Sequence, residues 1–297
     1  MKKIKGIIPP LTTPFDNNEV LDTEKLQGNI RDLCGFPLAG FLVLGSNGEL
    51  VMLSEAECID VMHTAREAIP KDRIMLAGTG CQSTVATIAL TQEAARAGAD
   101  AVLVLNPSYY KGQMSKNALV VHYHRVADAS QIPVLIYNMP ANTGLDMDAE
   151  TILEIASHPN IIGLKDSGGN LAKMANIIGN AGEDFQVLAG SAGFLLPALS
   201  IGATGGILAL ANIAPAQCCN IYDNYTEGKL EDAKTMQQRI IRVNAMVTRQ
   251  WGVPALKAAM DMLGFYGGPC RNPLQAISTA QKNTLKESLK ECDILPT

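Results

Sequence analysis

Eight short runs of β-branched or apolar residues recur along the chain at a nearly even interval, and each is followed by a helical pattern. This period constrains the fold more than any single motif. The runs fall at residues 6–11, 40–45, 73–78, 101–105, 133–137, 161–165, 186–190 and 205–208. Strands separated by helices pair in parallel, because a parallel neighbour is reached only by a crossover long enough to hold a helix. The clearest helix opens at Ser54, with Glu57 three residues on as a capping box, and continues through Cys58, Val61, Met62, Ala65 and Ile69. Other helices start near Thr23, Ser83, Lys116, Asp148, Asn170, Gly193 and Pro215, residue types that suit helix entry. Eight strands with eight following helices predict a closed (β/α)8 TIM barrel. The open doubly wound alternative would want a G-x-G-x-x-G turn after the first strand, and the sequence has none there.

The 297 residues suffice for one such barrel with an extension. We expect a catalytic barrel domain over 1–227 and a C-terminal helical domain over 228–297. The latter carries three helical patterns (230–247, 254–263 and 273–290) and no strand signal, so it should pack outside the barrel. A net charge of −5 without a basic cluster argues against nucleic-acid binding. Seven cysteines are scattered with no C-x-x-C pair, as expected of small buried hydrophobes in a reducing compartment. The N-terminal apolar stretch is too short for a signal peptide, and no run approaches the ~20 apolar residues of a membrane span. A soluble, cytoplasmic protein is expected.

In a barrel of this kind the active site lies at the C-terminal ends of the strands. Those positions carry GSNGE (45–49), NPSYYKG (106–112), YNMPANTG (137–144), LKDSGG (164–169) and AGSAG (189–193), the last containing Gly190. By residue type alone a strand-end lysine such as Lys165 is most often solvated. Held instead in an apolar pocket, it loses hydration of its charged form, and a fall from ~10.4 toward ~7–8 supplies neutral amine. Such an amine attacks a carbonyl, and the iminium formed is an electron sink that needs no metal or coenzyme. Tyr137 is either a rim tyrosine packing its ring or a proton shuttle, and the nearness of Lys165 favours the second. The glycine-flanked turn with Ser46 and Asn47 offers a cradle for a carboxylate or is simply a turn, with Glu49 bracing it. His63, His122, His124 and His158 fall in helices or on the wrong loop, which disfavours a metal site.

Taken together, GIIPPLTTPF, GSNGE, the YY pair, the Y-x-x-P segment opening at Tyr137, and GLKDSGG resemble the dihydrodipicolinate synthase and N-acetylneuraminate lyase family of pyruvate-dependent class I aldolases. The resemblance spans nearly the whole chain. It implies Lys165 as the Schiff-base lysine, Tyr137 as the acid/base, and Ser46 and Asn47 as holders of the pyruvyl carboxylate. Tyr110 is similar to a tyrosine that reaches into a neighbouring subunit's site and relays protons through Ser46, which presupposes an oligomer, in this family a homotetramer of two dimers. Ile207 matches a position whose backbone carbonyl faces the reacting centre.

Dihydrodipicolinate synthases carry an arginine where this chain has Asn142, so a charged bidentate donor for aspartate semialdehyde is missing. Neuraminate lyases usually have threonine where Ser167 stands. PANTGLD, HPNIIGLKDSGG, DFQVLAGSAGF and GFYGGPCRNPLQ resemble 4-hydroxy-2-oxoglutarate aldolases instead. That implies cleavage to pyruvate and glyoxylate, with Ser167 and Asn47 as donors to the distal carboxylate and Gly190 and Asn142 beside the substrate. Alternatives are a dihydrodipicolinate synthase, another sugar-acid aldolase, and, in a different class, a 2-oxo-acid sensor.

Overall fold

The computed structural model describes residues 3–296. Strands β1 (Gly6–Ile8), β2 (Gly40–Val43), β3 (Ile74–Gly78), β4 (Ala101–Leu105), β5 (Val134–Asn138), β6 (Ile161–Asp166), β7 (Gln186–Ala189) and β8 (Gly205–Ile207) form one sheet. All neighbours are parallel, in the order β1-β8-β7-β6-β5-β4-β3-β2. The two ends of this order meet through the Leu11 N–H to Leu42 carbonyl bond at 2.8 Å and the Leu42 N–H to Pro9 carbonyl bond at 3.0 Å. The sheet is therefore the predicted TIM barrel. β1 stops short of its expected end because Pro9 and Pro10 have no N–H to continue the ladder.

Helices α1 (Thr23–Leu33), α2 (Glu55–Ala68), α3 (Thr84–Arg96), α4 (Lys116–Ala129), the single turn α5 (Pro140–Thr143), α6 (Ala149–Ile155), α7 (Leu171–Asn180), α8 (Leu195–Ser200) and α9 (Pro215–Thr226) make up the crossovers. Five of the expected residues work as caps or box partners. Ser54 and Glu57 form the full capping box, and Ser83, Asp148 and Asn170 each accept a backbone N–H from the first turn. Alternation along the strands gives two apolar layers. Ile8, Leu42, Leu76, Leu103, Leu135 and Ile207 fill the barrel, whereas Val43, Val102, Val104 and Ile136 face the helices.

Three helices follow the barrel, α10 (Leu230–Ala245), α11 (Gly252–Met262) and α12 (Thr279–Glu291), with a π-helical turn over Met246–Gln250. The last begins later than the expected residue 273. Ser278 caps it in a box with Gln281. The preceding segment is turned by Gly264 and Gly268 at positive φ, and Arg271 spends its donors on the barrel loops rather than on a helix. Among the described residues no helix is long and apolar enough to cross a membrane.

Candidate active site

Lys165 reaches the inside of the barrel by way of a β-bulge. Ile161 and Ile162 alternate outward and inward, so simple alternation would carry Leu164 in and Lys165 out. Register between β5 and β6 shifts there instead, with Val134 opposite Ile161 and Leu135 opposite Gly163. The extra residue is Ile162. Leu164 then packs in the outer layer, and Lys165 lies opposite Tyr137, whose ring belongs to the inner one.

Lys165 is 3% exposed and Tyr137 4%. The Lys165 ammonium nitrogen lies 4.2 Å from the centre of the Tyr137 ring. Two other lysines are similarly enclosed, but Lys257 pairs with Glu49 and Lys173 with Asp146 and Asp166. Among the described residues no carboxylate lies within ion-pairing distance of Lys165. A buried amine without a counter-carboxylate is costly for folding alone, which is why such residues mark functional sites.

Ser46, in the turn after β2, places its Oγ 3.4 Å from the Tyr137 hydroxyl. Burial works against ionisation of this phenol. The charge of Lys165, with hydrogen bonds from Ser46, Ser167 and Lys165, outweighs it and holds the phenol below the usual tyrosine range. Beside Ser46 and Tyr137 opens a cavity of about 210 Å³, walled also by Leu44, Gly45, Leu103 and Asn142. Two close approaches hold the strand ends around this centre. A Cβ on Gly78 would come within 2.0 Å of the Leu44 carbonyl, and one on Gly190 within 2.1 Å of Ser167 Oγ. Leu44 itself has φ of 56°, a left-handed conformation that costs a leucine roughly 1–2 kcal/mol.

The other expected residues scatter around this centre. Ser167 donates to the Gly190 carbonyl at 3.5 Å, and Ile207 is fully buried in the inner layer. Asn47 is half-buried in the Ser46 turn, and Asn142 is exposed on the cavity wall. Tyr110 is not at this centre: it is 70% exposed and stands edge-on to Tyr109 at 5.0 Å between ring centres. His122 is buried against Thr84, and burial pushes its pKa down to about 4. Among the described residues no group of three or more potential ligands could hold a metal. Sequence reading passed over the end of β3, where Gly78 and Gly80 line the cavity, and also Gln82, whose side-chain oxygen accepts the N–H groups of Ser108 and Tyr109 at 2.9 Å each. The glycine pair at a strand's C-terminal end was the available signal.

The Ser46 turn is held from behind. Thr13 Oγ1 donates to the Gly48 carbonyl at 2.6 Å. Glu49, left-handed at φ 55°, accepts the Arg271 N–H at 2.9 Å and pairs with Lys257 at 2.6 Å, both side chains 1% exposed. The Arg271 guanidinium then grips Glu57 at 2.6 and 3.0 Å. Arg271, helped by the Ser54 N–H and against some burial, lowers the Glu57 carboxyl from 4.5 to about 2. A depressed carboxyl contributes stability that is complete above about pH 4.5 and lost as the pH falls through about 2. Glu57→Gln should therefore cost on the order of 1–2 kcal/mol at pH 7, and the gap from wild type in urea melts should narrow steadily below pH 4.5. A gap that stays constant down to pH 3 would count against this ion pair.

The sequence profile of the dihydrodipicolinate synthetase family matches residues 3–292. Among curated proteins, the chain is 39% identical over 293 residues to "Probable 4-hydroxy-2-oxoglutarate aldolase, mitochondrial" of Emericella nidulans, covering 97% of this chain and 94% of that one. It is 36% identical to the 4-hydroxy-tetrahydrodipicolinate synthase of Methanococcoides burtonii, covering 98% of this chain and 99% of the other. Among solved structures, YagE of Escherichia coli K12, a dihydrodipicolinic acid synthase family protein in complex with pyruvate, superposes with a TM-score of 0.92 at 30% identity, over 98% of this chain and 99% of that one.

Proposed function

Because the chain belongs to the dihydrodipicolinate synthetase family and is an aldolase-type lyase, we propose that it cleaves 4-hydroxy-2-oxoglutarate to pyruvate and glyoxylate through a Schiff base on Lys165. The observation that carries this is the buried, carboxylate-free amine set against the face of Tyr137. The Lys165 amine attacks the C2 ketone, and loss of water from the carbinolamine leaves an iminium. The C4 hydroxyl then gives its proton to Tyr137 while the C3–C4 electron pair moves into the iminium, releasing glyoxylate and an enamine. Protonation of the enamine at C3 and hydrolysis return pyruvate and the free lysine.

A phenol held below its ordinary pKa suits the base role, because proton transfer is fastest when the catalytic group titrates near the working pH. Tyr137→Phe should lower kcat by about 10²–10⁴-fold. Its rate of covalent trapping by pyruvate should fall less, since imine formation asks less of this group than carbon–carbon cleavage. Equal losses in both assays would remove Tyr137 from the cleavage step.

Ser46 and Asn47 are assigned to the pyruvyl carboxylate, with Ser167, Asn47, Gly190 and Asn142 toward the distal end and Ile207 beneath the reacting carbons. Asn142 supports the hydroxy-oxoglutarate reading over aspartate semialdehyde, because a neutral amide does not replace a bidentate guanidinium. The Methanococcoides relative keeps the synthase reaction as the second reading. Steady-state assays with 4-hydroxy-2-oxoglutarate, and with pyruvate plus aspartate semialdehyde, separate them: we expect kcat/KM at least tenfold higher for the first. The exposed Tyr109–Tyr110 pair supports a homotetramer in which Tyr110 completes a neighbour's site, and sedimentation with Tyr110→Phe activity tests that. Residence in the cytoplasm, with residues 1–227 as catalytic domain and 228–297 as helical domain, belongs to the same proposal. The seven free cysteines support a reducing compartment.

A further inference from the structure

Strand alternation turns the residues after Tyr137 and Lys165 to the opposite face of the sheet, and there they meet. Asn138 and Asp166 are direct partners in the β5–β6 register and are both fully buried. Asn138 Nδ2 donates to Asp166 Oδ2 at 2.9 Å. The other valences of the pair are also used. Asp166 Oδ1 accepts the N–H groups of Gly168 at 2.8 Å and Gly169 at 3.2 Å, which fixes the chain leaving β6. Asn138 donates to Asp146 at 2.7 Å and accepts the Met147 N–H at 3.1 Å, which fixes the chain leaving β5's following turn. Lys173 of α7 sits 3.3 Å from Asp166 and also holds Asp146.

This network lies one residue, about 3.3 Å of strand rise, beyond the reacting pair. A charge-assisted bond in a dry setting is stronger and stiffer than one in water. It ties together the two backbones from which Tyr137 and Lys165 project, at a strand pair already loosened by the bulge at Ile162. We propose that Asn138 and Asp166 are positioning residues, a clasp on the outer face of the barrel that sets the separation of phenol and amine on the inner face. The inference rests on the reading of Tyr137 and Lys165 given above.

The test uses unliganded, full-length protein. Tyrosine labelled with ¹³C at Cζ reports each phenol by NMR, with Tyr137 assigned from Tyr137→Phe. Because Lys165 holds the Tyr137 phenol down over a short distance, Asn138→Ala should move its titration up toward the ordinary tyrosine range. In turnover, kcat should fall roughly 10–100-fold with KM changed far less, the pattern of misplaced reacting groups. Asp166→Asn is isosteric and keeps an oxygen for Gly168 and Gly169 while setting two amide donors against each other, so it should act in the same way. Asp146→Asn alters the network but leaves the clasp bonded and should leave the Tyr137 titration in place. If Asn138→Ala or Asp166→Asn folds with an unmoved Tyr137 titration, or if Asp146→Asn moves it as much as they do, the clasp is overturned and the network is only structural. Failure of the Schiff-base reading would appear instead as absence of pyruvate trapping, while the phenol titration remains readable.

Discussion

Lys165→Ala is expected to lose production of both pyruvate and glyoxylate from 4-hydroxy-2-oxoglutarate, with kcat down by at least about 10⁴-fold, as when other covalent nucleophiles are removed. The fold should survive the change. No carboxylate is left unpaired when this side chain is truncated, since among the described residues none pairs with it, and the stability change should stay within the roughly 0.5–3 kcal/mol common to point substitutions. That combination separates a catalytic lysine from a structural one. A folded alanine variant that still forms both products at a tenth of the wild-type rate would show that the cleavage does not pass through Lys165.

The second large effect lies behind the site, at Glu49 and Lys257. Their ion pair is almost wholly enclosed, with Lys257 also donating to the Pro269 carbonyl at 2.8 Å and lying 4.6 Å from the centre of the Phe15 ring. Removing one partner strands the other charge in a dry site, which typically costs 3–5 kcal/mol, about as much as many domains have to lose. Lys257→Met and Glu49→Gln should each show this in urea unfolding. The double variant Glu49→Gln/Lys257→Met should recover most of the loss, because the pair itself contributes little net stability over a neutral replacement. Since Glu49 closes the turn that carries Ser46, the single variants should also raise KM for the 2-oxo acid. Single variants as stable as wild type would mean that the C-terminal helices do not brace this turn.

Much of the barrel was legible because its signal is local. Ala101–Leu105 reads as a strand from composition and bounds alone, and Ser54 with Glu57 is a capping box in sequence and in space. Lys165 was legible as a strand-end lysine, but not the reason it points inward. Ile161, Ile162, Gly163 and Leu164 are all apolar, so no alternation in the sequence marks where the bulge falls, and pairing with β5 decides it. Residues 273–278 failed for a similar reason. Their apolar spacing suits a helix, but Arg271 just ahead of them is held by Glu57 and the Glu19 and Met52 carbonyls, and the helix starts only where Ser278 caps it. Glu49 was legible as a brace but its partners were not, because Lys257 and Arg271 lie more than two hundred residues away in sequence. Tyr110 lies outside what one chain can show, as its expected role needs a second.

Covalent capture tests the central claim most directly. Incubation of the protein with pyruvate and borohydride, followed by proteolysis and mass mapping, should place an irreversible pyruvate-derived adduct on the peptide containing Lys165 and abolish turnover in proportion to labelling. Recovery of unlabelled, fully active protein, or an adduct on another lysine with Lys165 free, would contradict it.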